Sequence, residues 1–216
     1  MPRDHTGWRS RGYLPHYDGA GETQHIIFRL ADSLPKQALA AVEHAPREER
    51  LDHAETSLDR GFGSRALARP DIASVVANAL QRFDGRRYRL LAWCVMPTHV
   101  HVLSQQAEGW PLAGIVHSWK SFTSLQANRI LGRSGPFWAR DYFDRAMRSE
   151  GQVDRACGYI EANPVIAGLC QDPAEWPWSS ASAARSNKSR LEAGGPGGTT
   201  QALPTTPSEL WALRAR

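Results

Sequence analysis

Three observations predict an α+β fold of the split βαβ, ferredoxin-like kind, with helices packed on one antiparallel sheet. Apolar runs of strand type alternate with runs of helical spacing. Their order is strand, helix, strand, strand, helix, strand, helix, and a proline of fixed φ joins the two middle strands into a hairpin. With 216 residues, 41% of them hydrophobic, the chain can build one core. The expected division is an N-terminal arm over 1–22, a single domain over 23–182 and a tail over 183–216. That tail is rich in Gly, Pro, Ser and Thr, cannot bury a core, and is read as disordered.

The first strand is read in QHIIFRLADSL, residues 24–34, where Ile26, Phe28 and Leu30 alternate with Ile27 and Arg29. A charged excursion over 44–70 follows, with glycines and mixed charge that suggest a partly helical surface segment. From Asp71, read as an N-cap, Ile72, Val75, Val76, Ala79 and Leu80 have the spacing of a core-facing helix. YRLLAWCVMP is nearly continuous in apolar residues, as a central strand covered on both faces would be. Met96, Pro97 and Thr98 turn the chain, and HVHVLSQ returns as its partner. The second long helix carries Leu112, Ile115, Val116, Trp119, Phe122 and Ile130 on one stripe. A short strand runs from Phe143 to Arg148. The third helix opens with Ser149 and Gln152 at capping-box spacing and buries Val153, Ala156, Cys157 and Ile160; Pro164 is expected to end it near Asn163.

Charge is unevenly spread. Residues 32–59 hold three basic and seven acidic residues, whereas 82–148 hold ten basic and four acidic, so positive charge surrounds the middle hairpin. A phosphate-bearing partner fits that excess; a solvated surface with uneven charge fits it as well. The three cysteines are odd in number and far apart, as reduced core residues would be. No stretch approaches the roughly 20 apolar residues of a membrane span, and the first residues lack a signal-peptide core. A cytoplasmic protein without membrane contact is expected.

The motif that carries chemistry is WCVMPTHVHVLSQQ, residues 93–106. Side chains at i and i+2 of a strand share a face, so His99 and His101 project together while Val100 and Val102 enter the core. Paired imidazoles make a two-point metal ligand, although a bare His-x-His is more often a polar strand face. On the third helix Tyr159 and Asn163 stand four residues apart, about 40° from each other around the axis. If that helix covers the same sheet face, Tyr159 brings a hydroxyl near a bound cation and Asn163 offers an amide oxygen. Such a constellation suits attack on a phosphodiester, because a phenol near pKa 10 is a weak nucleophile without a neighbouring cation. Nitrogen ligands favour Mn²⁺ over Mg²⁺, and zinc would bind more tightly than either.

These residues carry a resemblance. WCVMPTHVHVLSQQ, GIVHSWKSFTSLQANRILGRSGPFWARDYFDRAMRSEGQVDRACGYIEANPVIAGL and EWPWSSA, with the opening RGYLPHYD and QHIIFRLADSLP, resemble the REP-associated tyrosine transposases, a branch of the single-tyrosine HUH transposases. The resemblance covers residues 9 to about 182. It implies an HUH-type fold and metal-dependent, strand-specific cleavage of single-stranded DNA at hairpin-forming repeats, leaving a 5′-phosphotyrosine and a free 3′ hydroxyl. It implies that His99 and His101 are the metal-binding pair, Tyr159 the nucleophile and Asn163 the third ligand, with Mn²⁺ or Mg²⁺ as cofactor. Thr98 departs from the family's common asparagine. Single-stranded or hairpin DNA is the implied partner, and a homodimer is one candidate assembly.

Rival assignments stand beside these. Tyr142 is an alternative nucleophile that lacks a polar partner at i+4. Lys120, Arg129, Arg133 and Arg140 are candidate DNA contacts, each singly more often a solvated side chain, and Arg11 and Tyr13 of the arm are further candidates, Tyr13 as a DNA or packing contact. Trp138, Trp176 and Trp178 could stack bases, but packing suits them better. A domesticated repeat-binding protein that no longer cuts is the second functional reading, and a zinc hydrolase built on His-x-His the third.

Overall fold

The structure, a computed structural model, describes residues 7–10, 15–19, 21–46 and 49–184. Two short strands, β1 (Gly7–Ser10) and β2 (Pro15–Asp18), pair antiparallel within the stretch expected as an arm. The main sheet holds β3 (Thr23–Arg29), β4 (Tyr88–Val95), β5 (His99–Gln106) and β6 (Phe143–Ala146), all antiparallel in the order β4-β5-β3-β6. The helices are α1 (Lys36–His44), α2 (Arg50–Leu58), α3 (Pro70–Gln81), α4 (Leu112–Ile130) and α5 (Glu150–Ile166). From β3 onward, with α1 and α2 set aside as an insertion, the chain follows the split βαβ plan with α5 appended.

Strand alternation divides the sheet into two unlike faces. Ile26 and Phe28 of β3 pair with Val102 and Val100 of β5, and with Trp93 and Val95 of β4 they pack under α3 and α4 in the main core. On the other face, Ala92, Cys94 and Leu103 meet Val153, Cys157 and Ile160 of α5. Ile27 and Phe143 meet Val42, Leu51, Ala54 and Leu58 of α1 and α2 in a third, smaller cluster. His25, His99 and His101 therefore fall on the face shared by α5 and α2, while the valines between the last two enter the main core.

Several expectations are corrected. β4 is covered on both faces as expected but stands at the sheet's edge, not its centre; residues 178–180 shield that edge, with Val95 N donating to Trp178 O at 2.9 Å. The strand expected over 24–34 ends at Arg29, because Asp32 and Ser33 turn the chain and Ser33 donates to Leu30 O. Asp71 lies in the first turn of α3 and does not cap it, since Pro70 at the first helical position starts the helix one residue sooner at no cost in hydrogen bonding. The excursion is a helical hairpin that begins at Lys36, before the charged stretch. Phe122 is 49% exposed: the buried stripe of α4 climbs in steps of four through Ile115, Trp119, Thr123 and Ala127, and Phe122 stands about 60° round the axis from Trp119 and about 100° from Thr123.

α5 opens as its sequence suggests. The Ser149 side chain accepts from Gln152 N, while the Gln152 side-chain Oε1 reaches back to accept from Arg148 N at 2.7 Å. It does not stop at Asn163. Pro164 lies in the last turn, where its missing N–H removes a single helical bond, and the helix runs to Ile166 before Gly168 closes it at φ +68°.

Candidate active site

Three buried imidazoles form a chain across β5 and β3. His99 Nε2 lies 2.9 Å from His101 Nε2, and His101 Nδ1 lies 3.2 Å from His25 Nε2. The Thr98 hydroxyl, 2.9 Å from His99 Nδ1, begins the chain at the hairpin turn. Burial drives all three towards the neutral form: His25 and His99 are pushed down to about 3, and His101 lies well below its ordinary value, with His99 and His25 beside it adding to the effect of burial. Neutral imidazole is the metal-binding form, because one ring nitrogen keeps its lone pair.

Helix α5 brings Tyr159 over this chain, its ring centre 6.0 Å from that of His101 and 6.5 Å from that of His25. The sheet-facing stripe of Val153, Cys157 and Ile160 fixes the helix, and Tyr159 packs at its margin. The Glu55 carboxyl of α2 and Asn163, one turn further along α5, both lie beside the phenol hydroxyl. Burial, with Glu55 close by, holds the phenol in its neutral form above the usual tyrosine range. Glu55 is itself pushed up to about 8 by burial and by Asp52, against the opposing effects of the Tyr159 hydrogen bond and Arg145.

The structure thus gathers His99, His101, Tyr159 and Asn163, four of the side chains singled out in the sequence. Two others join them unannounced. Glu55 Oε1 is buried without a hydrogen-bond partner, 3.7 Å from His25 Nε2 and 3.8 Å from His101 Nδ1. His25, Glu55 and His101 are a group of described residues whose ligand atoms lie close enough together to hold a metal ion. The residue expected as third ligand, Asn163, is buried beside Tyr159 with its Nδ2 lacking a hydrogen-bond partner. His25 shares strand parity with Ile27 and Arg29, a signal that could have found it. Glu55 lies on a helix of mixed charge with nothing local to mark it.

The remaining candidates lie elsewhere. The Lys120 ammonium donates to the carbonyls of Ala139 and Arg140 at 2.7 Å each, which makes it a brace for that loop. Burial pushes Lys120 down to about 8. Arg129, Arg133 and Arg140 are exposed, and Arg133 Nε donates to Asn128. Arg11 and Tyr13 lie outside the described residues. Tyr142 is buried against His16, ring centres 4.0 Å apart, at the wall of a cavity of about 370 Å³ beside α4. The three tryptophans pack: the Trp138, Trp176 and Trp178 indoles donate to Thr123, to Val95 O and to Ser74. No helix among the described residues is long and apolar enough to cross a membrane.

Comparison with known proteins finds transposases among the similar chains. Residues 66–163 match the family described as IS200-like transposases, a segment that contains His99, His101, Tyr159 and Asn163 but neither His25 nor Glu55. A curated protein of Haemophilus influenzae, named for the REP-associated tyrosine transposases, is 25% identical over 103 residues. That match spans 43% of this chain and 58% of the relative, a little over half its length. Among solved structures, a REP-associated tyrosine transposase bound to a REP hairpin superposes with a TM-score of 0.51 at 17% identity, over 86% of this chain and 92% of that one. Residues 66–163 are thus similar to the IS200-like transposases, and the chain is similar in sequence over 103 residues to one REP-associated tyrosine transposase and in fold over most of its length to another.

Proposed function

We propose that this protein is a metal-dependent, single-stranded DNA endonuclease and strand transferase that acts through Tyr159 at hairpin-forming repeats. The observation that carries the reading is the convergence of the Tyr159 phenol with the buried imidazoles on one face of the sheet. Similarity to the transposase solved on a REP hairpin supports hairpin DNA as the substrate class.

In the first step the Tyr159 oxygen attacks the scissile phosphorus, the bond to the 3′ oxygen breaks, and the protein is left joined to the 5′ phosphate. Glu55, beside the phenol hydroxyl, takes the proton in its ionised form and hands it on to the departing 3′ oxygen. Asn163 keeps the phenol oriented from its own helix. In the second step an incoming 3′ hydroxyl attacks the phosphotyrosine and returns the phenol, so the bond energy is conserved for rejoining. The unpartnered Glu55 Oε1 and the neutral imidazoles fit a divalent cation of the Mn²⁺ or Mg²⁺ kind. Such an ion would withdraw charge from the phosphate and stabilise the departing oxygen.

The test is incubation of the full chain with single-stranded oligonucleotides carrying palindromic repeats from the DNA flanking its coding sequence, with Mn²⁺ present. A covalent adduct mapped to Tyr159 and absent from Tyr159→Phe is expected. An adduct formed as readily by the variant refutes the mechanism, and a free 5′ phosphate without adduct replaces it with simple hydrolysis. One observation favours a second reading, repeat binding without cleavage: His99, His101 and Asn163 are at most 1% exposed, so no strand reaches them in this arrangement. Tight, salt-dependent binding with no cut under any divalent ion selects it.

A further inference from the structure

We infer that Thr98 and His25 are positioning residues of the cation site: each holds the outer nitrogen of one paired imidazole, so that the inner nitrogens of His99 and His101 face a single ion. Both rings turn the same atom inwards. His99 Nε2 and His101 Nε2 stand 2.9 Å apart, close to the edge that two metal–nitrogen bonds of about 2.1 Å subtend at a right angle. A ring nitrogen binds a cation only through its lone pair, so in the loaded site the proton of each neutral ring sits on Nδ1. Both Nδ1 atoms have partners. Thr98 Oγ1 lies 2.9 Å from His99 Nδ1, and His25 Nε2 lies 3.2 Å from His101 Nδ1. Glu55 Oε1, at 3.8 Å, is too far to bond His101 Nδ1, yet its charge when ionised favours a proton there.

The choice of partners suits a site that must exist both with and without its ion. Without one, the contact between the two Nε2 atoms takes a proton from one ring, and that ring then accepts at Nδ1. Loading leaves both rings with the proton on Nδ1, which turns one outer partner from donor to acceptor. No proton has to leave the site. A hydroxyl both gives and accepts, and an imidazole does either by changing tautomer. An ammonium could only donate, and an ionised carboxylate could only accept. The backbone fixes both partners. Thr98 is 2% exposed in the turn between β4 and β5, where its carbonyl accepts from Leu30 N at 2.9 Å. His25 pairs with Leu103 and His101 with Ile27, which makes the two histidines diagonal neighbours on one face of β3 and β5. His25 lies outside residues 66–163, so the similarity over that segment does not mark it.

This role rests on the proposed function, in which His99 and His101 hold the cation, and is tested without DNA. Titration calorimetry of the full chain with Mn²⁺ measures the site, and His99→Ala should abolish binding. Thr98→Val and His25→Leu keep apolar bulk and lose the partner atom, and each should weaken binding about tenfold or more. Thr98→Ser and His25→Gln keep a hydroxyl and an acceptor at similar reach, and should stay within about threefold of the wild type. A packing role predicts the reverse order. Nitrogen-15 spectra of the wild-type histidine rings, with Zn²⁺ as a diamagnetic stand-in, should show His99 and His101 both carrying the proton on Nδ1. Zn²⁺ bound through Nδ1 of either ring would overturn the role, and so would Thr98→Val and His25→Leu that bind Mn²⁺ as tightly as the wild type. The spectrum needs no variant, so a replacement that fails to fold does not remove the test. No binding by the wild type, or undiminished binding by His99→Ala, sinks the proposed cation site and this role with it. Binding lost in His99→Ala and kept in Thr98→Val and His25→Leu sinks the positioning role alone.

Discussion

Replacing Leu51 with alanine should loosen the α1–α2 hairpin, the flap packed over Ile27 and Phe143, while leaving the sheet beneath it intact. Leu51 is 3% exposed and sits in the cluster formed with Ile27, Leu34, Val42, Ala54, Leu58 and Phe143, apart from the main core. A buried Leu→Ala change costs about 2–5 kcal/mol, the sum of lost transfer energy and residual cavity. At about 3 kcal/mol, with each 1.4 kcal/mol worth tenfold, the equilibrium constant for flap opening rises roughly 150-fold. Native-state hydrogen exchange read by mass spectrometry separates the two regions, because amides in 50–58 exchange through flap opening and those in 99–106 only through deeper unfolding. The expected result is lower protection in 50–58 than in 99–106 already in the wild type, and a further rise of two orders of magnitude in 50–58 exchange in the variant. Equal protection of both segments, lost together in Leu51→Ala, would show that hairpin and sheet open as one unit. A rise below about fivefold would show that Leu51 does not hold the flap.

Three further outcomes are expected. The folded pKa of each buried histidine lies below its unfolded 6.5, so their stabilisation is complete above pH 6.5 and is lost as pH falls towards 3, whereas the raised Glu55 contributes below 4.5 and loses that contribution as pH rises through about 8. At pH 5 these four groups should together take up about two protons on unfolding, and a urea stability profile flat between pH 4 and 6.5 would contradict the burial described. Gly63→Ala forces a Cβ against the Asp32 carbonyl at positive φ and should cost about 2 kcal/mol or more, a fall in Tm of roughly 4–8 °C by calorimetry. Ser149→Ala removes the cap that accepts from Gln152 N and should cost about 1 kcal/mol, seen as a small drop in Tm with the cation affinity unchanged.

Much of the fold was legible because its elements satisfy their local rules. The hairpin of β4 and β5, the amphipathic stripes of α3, α4 and α5, and the shared face of His99 and His101 all follow from periodicity and one proline. The misreadings have physical causes of the same scale. β4 looks central because apolar residues cover both its faces, but periodicity reports faces and is silent about edges; the edge is shielded by residues 178–180, more than eighty positions away. Pro164 signals a helix end only where its missing N–H matters, and in a final turn closed by Gly168 it hardly does. The insertion was misplaced because charge marks its second half, while its first helix, Lys36–His44, is short and rich in alanine. Lys120 was one candidate phosphate contact, and the carbonyls it braces, on a loop nineteen and twenty residues further on, could not be read locally.

Part of the site was legible for a related reason. His99, His101, Tyr159 and Asn163 each sit on an element whose opposite or flanking side is anchored in an apolar cluster, so strand parity or helix angle fixes their direction. Val100 and Val102 pin the strand that carries the imidazoles, and Val153, Cys157 and Ile160 pin the helix that carries the phenol. Those groups are held by rigid elements, as the proposed transfer chemistry would require of its nucleophile. Glu55 differs in kind: its direction depends on where a separate hairpin docks, a tertiary fact with no local period to announce it. The division of labour follows. The imidazoles and the phenol are built on the sheet and its core-facing helix, whereas Glu55 is built on a hairpin that leaves and rejoins the domain beside Asp32.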